Sequence, residues 1–201
     1  MVNVLTKELN ETRSHIERVA IDLFAKRGYS GTSIRDICEA SGVTRPVLYY
    51  YFTNKEHLYV TLIEEAYSSF LVAVREVVEQ NKDFLLKLKE LIHVYFECSS
   101  YDANLLRLIF GALFGPQDET PKDFIWNLED QHIQILIQLF NEGVEQGFLA
   151  SCPVETLVYQ FLGSINIYLL AHLVRGKPFT QEIENHVFTL LMNGIKNRKS
   201  S

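Results

Sequence analysis

The chain has 201 residues, 47% hydrophobic and 22% charged, which is the balance of a folded globular protein and excludes a disordered one. A core of that size needs no staple, and the three cysteines, Cys38, Cys98 and Cys152, stand far apart without a CxxC pair, so a disulfide framework and a structural zinc are both excluded. The net charge of −6 tells against an all-basic nucleic-acid binder, but residues 1–60 carry 8 Lys/Arg against 7 Asp/Glu while residues 61–201 carry 11 against 18, so the N-terminal part can still offer a local basic face.

Nearly every segment has a helical period and none sustains strand alternation. Ile16, Val19, Ala20, Leu23 and Phe24 form one stripe, ended at Gly28 after Lys26 and Arg27. A short helix starts near Thr32 or Ser33, with Ile34, Ile37 and Cys38 on its apolar side, and breaks at Gly42. A third starts with Thr44 as N-cap and sets Leu48 and Phe52 one turn apart. Thr53 and Glu56 fit a capping box that opens a long helix with Leu58, Leu62, Ala66, Phe70, Val74 and Val77 inward. Asp83 and Asp102 cap two more, and Gly115-Pro116 breaks the chain. Thr120-Pro121 opens a helix that runs to Gly147, Pro153 opens one through Leu157 to Arg175, and Thr180 caps the last. The expectation is an all-α protein of about nine helices, ending in a short basic tail, Lys196 to Lys199. The longest apolar run, Phe161 to Val174, is interrupted by Ser164, Asn166 and His172, short of the roughly 20 apolar residues of a bilayer span. Without a signal-like N-terminus, this predicts a soluble, cytoplasmic chain with no membrane partner.

The stretch from Gly31 to Phe52 carries the function. Two short amphipathic helices around a glycine turn make a helix-turn-helix, with Val43 as the apolar pin beneath Gly42. Thr32 or Ser33 can hold a phosphate at the first helix start, and Thr44 can do so at the second, whose N-terminal end enters the major groove. Arg45 is the first side chain able to reach a base edge, where a guanidinium suits guanine bidentately, and Pro46 can pack on a thymine methyl. Tyr49, Tyr50 and Tyr51 are too many phenols for one apolar face, so at least one points outward; Tyr51 and Phe52 are assigned to the core. Lys55 is placed to meet the flanking DNA backbone as a point charge.

Ala20, Leu23-Phe24, Gly28-Tyr29, Thr32 to Ile37, Ala40, Gly42-Val43, Leu48-Tyr49, Tyr51-Phe52, Lys55-Glu56 and Leu58 together resemble the DNA-binding domain of TetR-type (tetracycline-repressor-like) regulators over residues 12–60. With no flexible linker before the long helix, the domain boundary is placed near residue 55, giving a three-helix DNA-binding domain, residues 1–55, and a larger domain, residues 56–201, to which the resemblance assigns ligand binding and dimerisation. By matched position it implies DNA contacts from Arg35, Arg45, Pro46, Val47, Tyr49, Tyr50 and Lys55, with phosphates held by Thr32, Ser33 and Thr44. Pro46 stands where the family often has a small residue, commonly glycine, so no relative's operator sequence carries over.

The family's habit of an apolar effector pocket points to Tyr95, Phe110, Phe114, Trp126, Phe140 and Tyr168 as lining residues. Dimerisation through the last two helices points to Leu157, Phe161, Ile165, Tyr168 and Leu169 with Val187, Leu190, Leu191 and Gly194 as a four-helix seam. His93, His132 and His172 have no metal-ligand spacing and read as separate core or pocket-wall residues, while Cys98 and Cys152 read as buried apolar ones; no metal and no cofactor is expected. A nucleophile elbow, a P-loop, a dinucleotide fingerprint and an HExxH pair are all missing, which leaves an enzyme far behind a DNA-binding regulator. The partners expected are a pseudo-palindromic double-stranded operator, a second copy of the chain and a small, largely apolar effector that releases a repressor from DNA.

Overall fold

The computed structural model describes residues 2–115, 121 and 123–195. Nine helices follow one another among them: α1 (Val2–Arg27), α2 (Ile34–Ser41), α3 (Arg45–Tyr51), α4 (Lys55–Val78), α5 (Phe84–Tyr101), α6 (Ala103–Phe114), α7 (Asp123–Glu145), α8 (Val154–Arg175) and α9 (Gln181–Ile195). The all-α expectation is met; the expected cap at Thr120 and the basic tail lie outside the described residues.

The helix ends follow local chemistry. Asp83 accepts from the Leu86 N–H at 3.0 Å, and Thr180 Oγ1 accepts from the Ile183 N–H at 3.3 Å. At α4 the cap lies one residue later than expected. Asn54 Oδ1 accepts from the His57 N–H at 2.7 Å, and the Thr53 N–H donates to His57 Nδ1 at 3.2 Å. Because the helix begins at Lys55, its third residue is His57 rather than Glu56, and the imidazole takes the reciprocal role expected of the carboxylate.

Two compact units divide the chain: residues 1–67 with 104–127, and residues 68–103 with 128–201. This differs from a single boundary at residue 55, because α6 is tied back onto α1: Asn104 Nδ2 donates to Asp22 Oδ1 at 2.6 Å, and Arg107 Nη1 donates to Asn104 Oδ1 at 2.8 Å. The first unit buries Ile16, Ala20 and Phe24 of α1 with Leu48, Phe52 and Leu58. Arg13 spans its polar rim, bonding Glu17 and Glu65 and lying 5.8 Å from the Phe52 ring.

The second unit is built on a run of rings. Phe84 meets Phe140 at 6.0 Å between centroids, Phe140 meets Phe161 at 5.6 Å, Phe161 meets Tyr95 at 5.5 Å, and Tyr95 meets Phe70 at 5.1 Å. The Tyr95 hydroxyl pairs with His132 Nε2 inside this core, so both buried polar groups are satisfied. Lys87, also buried, donates to both oxygens of Glu142 at 3.1 and 2.8 Å. Gln146 bridges that carboxylate to the Phe84 N–H.

α8 is long and apolar enough to cross a membrane by length and composition, with a mean hydropathy of 1.5. Its apolar content has two destinations. Leu157, Val158, Phe161, Leu162, Ile165 and Leu169 are buried in the chain, whereas Tyr159, Ile167, Leu170 and Val174 are exposed on another face.

The closest approach in the second unit is at Gly143, where a Cβ would stand 2.7 Å from Phe84 Cε2 and 2.9 Å from Leu149 Cδ1. Phe84 is fully buried and has little room to yield. Gly143→Ala is therefore expected to lower stability by about 1–3 kcal/mol, read as a lower denaturant midpoint at unchanged slope. An unchanged midpoint would show that the Phe84 ring moves freely.

Candidate nucleic-acid interface

The turn between α2 and α3 rests on Gly42, which ends α2 at φ 68°, in the left-handed region that costs a residue with a Cβ. The start of α2 is closed by its own side chains. Ser33 Oγ accepts from the Asp36 N–H at 3.2 Å, and Asp36 Oδ2 accepts from the Ser33 N–H at 2.8 Å. Hydrogen bonds from the Ser33 hydroxyl and then its backbone hold the Asp36 carboxyl below its ordinary range. α3 begins differently: Thr44 has the extended backbone of an N-cap but makes no side-chain capping bond, and a proline sits in the first turn.

On this seven-residue helix Leu48 is fully buried, and about 100° of rotation per residue turns its neighbours outward. Thr44, Arg45, Pro46, Val47, Tyr49 and Tyr50 are all exposed, Tyr50 at 71%. Arg45 has no ion-pair partner among the described residues. Arg35 is exposed on α2 and pairs with Glu39 at 2.7 Å. A surface pair of this kind is worth about 0–1 kcal/mol, so the guanidinium is readily released to a stronger acceptor.

Three expected phosphate contacts are placed elsewhere. Thr32 is buried and its hydroxyl donates to the Gly28 carbonyl at 2.9 Å, closing the end of α1. Ser33 has spent its hydroxyl on Asp36, which also sets a carboxylate where a phosphate would stand. Lys55 docks its ammonium on Tyr29, donating to that carbonyl at 2.9 Å and lying 4.0 Å from the ring centroid, and burial lowers its pKa. Its spacing to the helix was legible in sequence; the Tyr29 anchor was not.

Residues 9–15 of α1 reach the C-terminal ends of both helices of the motif, at the turn and at the end of α3. His15 Nε2 donates to the Ser41 carbonyl at 3.1 Å, and the Tyr51 hydroxyl donates to the Leu9 carbonyl at 3.0 Å. Phe52 is buried as expected, but Tyr51 is only half-buried and is used through its hydroxyl.

The expected effector-pocket residues divide by environment. Tyr95 and Phe140 are buried and fill the aromatic core, while Phe114 and Trp126 are 65% and 45% exposed. Phe110 is half-buried against Phe114 at 5.5 Å, and Tyr168 is half-buried beside Phe96 at 6.1 Å. Tyr168 also lines a cleft of about 220 Å³ with Ile167, Leu190 and Leu191. The expected dimer seam needs a change of register as well. Leu157, Phe161, Ile165, Leu169, Val187 and Leu191 are buried within the chain and are unavailable to a second copy, whereas Leu190 and Gly194 are exposed. Cys98 and Cys152 are exposed, against expectation. Among the described residues no group of His, Cys, Asp or Glu could hold a metal ion.

A two-turn helix set across a glycine turn, its outer side carrying two phenols and an arginine without an ion-pair partner among the described residues, has the form of a helix-turn-helix. Residues 16–62 match the family model described as bacterial regulatory proteins, tetR family. The HTH-type transcriptional repressor KstR2 of Mycobacterium tuberculosis is 22% identical over 94% of each chain. The HTH-type transcriptional regulator AcrR of Shigella flexneri is 39% identical over 47% of this chain and 45% of its own length. Among solved structures, the transcriptional regulator FadR of Bacillus subtilis in complex with stearoyl-CoA superposes with a TM-score of 0.75 at 21% identity, covering 91% of this chain and 99% of that one. Residues 16–62 therefore carry a segment similar to the DNA-binding region of the tetR family of bacterial regulatory proteins, and full-length likenesses to regulators extend over the rest of the chain at about 22% identity.

The two threonines of the motif are expected to behave differently on substitution. Thr32→Val removes a buried hydroxyl bond and is expected to lower thermal stability by about 1 kcal/mol while leaving the salt dependence of DNA binding unchanged. Thr44→Val is expected to weaken DNA binding with little effect on the melting midpoint. The opposite pattern, read from melting curves and from binding at several salt concentrations, would reverse these assignments.

Proposed function

We propose that this protein is a dimeric repressor that reads a pseudo-palindromic operator with α3 and leaves it when an acyl-type effector binds. The observation that carries the reading is the outward face of α3, where Arg45, Pro46, Val47, Tyr49 and Tyr50 stand in solvent around the single buried anchor Leu48. Arg45 is the candidate for bidentate recognition of a guanine, Pro46 and Val47 for thymine methyls, and the phenols for phosphate or base contacts. Arg35 joins them by exchanging Glu39 for DNA, and Lys55 reaches the backbone only by leaving Tyr29.

Two such helices are needed about 34–36 Å apart to meet successive major grooves. The exposed stripe Tyr159, Gly163, Ile167, Leu170 and Val174 on α8, with Leu190 and Gly194 on α9, is the surface we assign to the partner copy. Apolar side chains of this size leave water on association, and the two glycines permit close approach of helices.

The effector class follows from the relatives. FadR is seen with stearoyl-CoA, and KstR2 is described as a ketosteroid transcriptional regulator, so two of the full-length likenesses are tied by name to large, mainly apolar molecules. Such a ligand lowers operator affinity 100-fold only if it prefers the released state by about the same factor, near 2.7 kcal/mol.

The combined variant Arg45→Ala, Tyr50→Ala is expected to lose at least about 30-fold in operator affinity, at roughly 1–3 kcal/mol per contact, and to sediment as the wild-type dimer does. An operator obtained by selection from random DNA supplies the probe. Retained affinity would remove α3 as the reading element. The variant Ile167→Glu, Leu190→Glu is expected to sediment as a folded monomer with weakened operator binding. Stearoyl-CoA is expected to release the selected operator, and indifference to it in a protein that still binds DNA would remove the acyl effector from the proposal.

A further inference from the structure

α3 is too short to hold its own direction. It has two turns and no side-chain cap, and a helix of that length is unstable in isolation. Its last residue, Tyr51, is held from outside: the phenol reaches across to α1 and donates to the Leu9 carbonyl at 3.0 Å. The same ring meets Tyr50 edge to face, with centroids 5.0 Å apart and planes at 85°. Tyr50 itself is 71% exposed, and Tyr51 is its ring partner among the described residues. A solvent-exposed phenol with nothing beside it would sample several rotamers, each blurring the geometry of a contact to DNA.

We propose that Tyr51 is a positioning residue for operator reading: its hydroxyl, anchored to the Leu9 carbonyl, fixes the ring on which Tyr50 rests and thereby sets the direction in which Tyr50 meets DNA. This rests on the DNA-binding role of α3 proposed above. In this arrangement the early part of α1 contributes to sequence discrimination without touching a base. Preorganisation of Tyr50 strengthens contacts that require its exact placement, which belong to the specific complex, and leaves the diffuse attraction of phosphates unchanged.

The test is a cycle of four proteins: wild type, Tyr50→Ala, Tyr51→Phe and the double variant. Each is titrated against the selected operator and an unrelated duplex at several salt concentrations, with melting curves taken in parallel. Tyr51→Phe keeps the ring and removes only the anchoring hydroxyl. It is expected to weaken operator binding about three- to tenfold, with non-specific affinity and salt slope unchanged. In the Tyr50→Ala background the same change is expected to cost nothing further. Equal loss on both duplexes, with the salt slope reduced by about one, would make Tyr51 a phosphate contact and overturn the proposal. A cost of the same size with and without Tyr50 would also overturn it, as would no cost at all. Failure of the wild type to select any operator would instead remove the DNA-binding reading itself.

Discussion

Leu48 is the pivot of this protein. A seven-residue helix contributes almost no stability of its own, so α3 exists only as far as tertiary contacts hold it. Leu48 and Phe52 are one turn apart and both buried, which fixes one side of the helix into the first unit. The rest follows from rotation: with that side committed, Arg45, Tyr49 and Tyr50 have only solvent to face. Arg13 against Phe52, Tyr51 on Leu9 and His15 on Ser41 then tie α1 to the end of α3 and to the turn before it. One apolar side chain thus converts a weak local helix into a directed probe.

The polar groups around that probe are allocated unequally. α2 satisfies its own N-terminus, with Ser33 and Asp36 capping each other, and Thr32 closes α1. In α3 the Thr44 hydroxyl makes no capping bond, and the Arg45 guanidinium has no ion-pair partner among the described residues. A binding element needs groups that are held in place yet not already satisfied, because each internal bond must be broken before an external one forms. Arg35 and Lys55 occupy the middle ground, the first in a weak surface pair and the second on a carbonyl and an aromatic face. Any external contact by either would first have to offset the cost of leaving those partners.

α8 solves two problems with one apolar sequence. Its buried face completes the aromatic core around Phe140, Phe161 and Tyr95, and its exposed stripe is left for another surface. This doubling explains why α8 is apolar enough to resemble a membrane span. It also explains why hydropathy alone does not tell which leucine is core and which is exposed.

The sequence by itself determined the helical class, most helix ends, and the helix-turn-helix with its short second helix, since these depend on local signals: period, caps, glycine turns and the run from Thr44 to Phe52. The Ser33-x-x-Asp36 capping box was also legible there and would have withdrawn Ser33 from the phosphate list. What only the tertiary structure decided are matters of partnership across distance. These are Thr32 turned inward, Lys55 drawn to Tyr29, Tyr51 anchored to Leu9, α6 bound to Asp22, and the division of α8 into core and open faces. A residue's type states which bonds it can make, whereas its neighbours in space determine which of them it has already made.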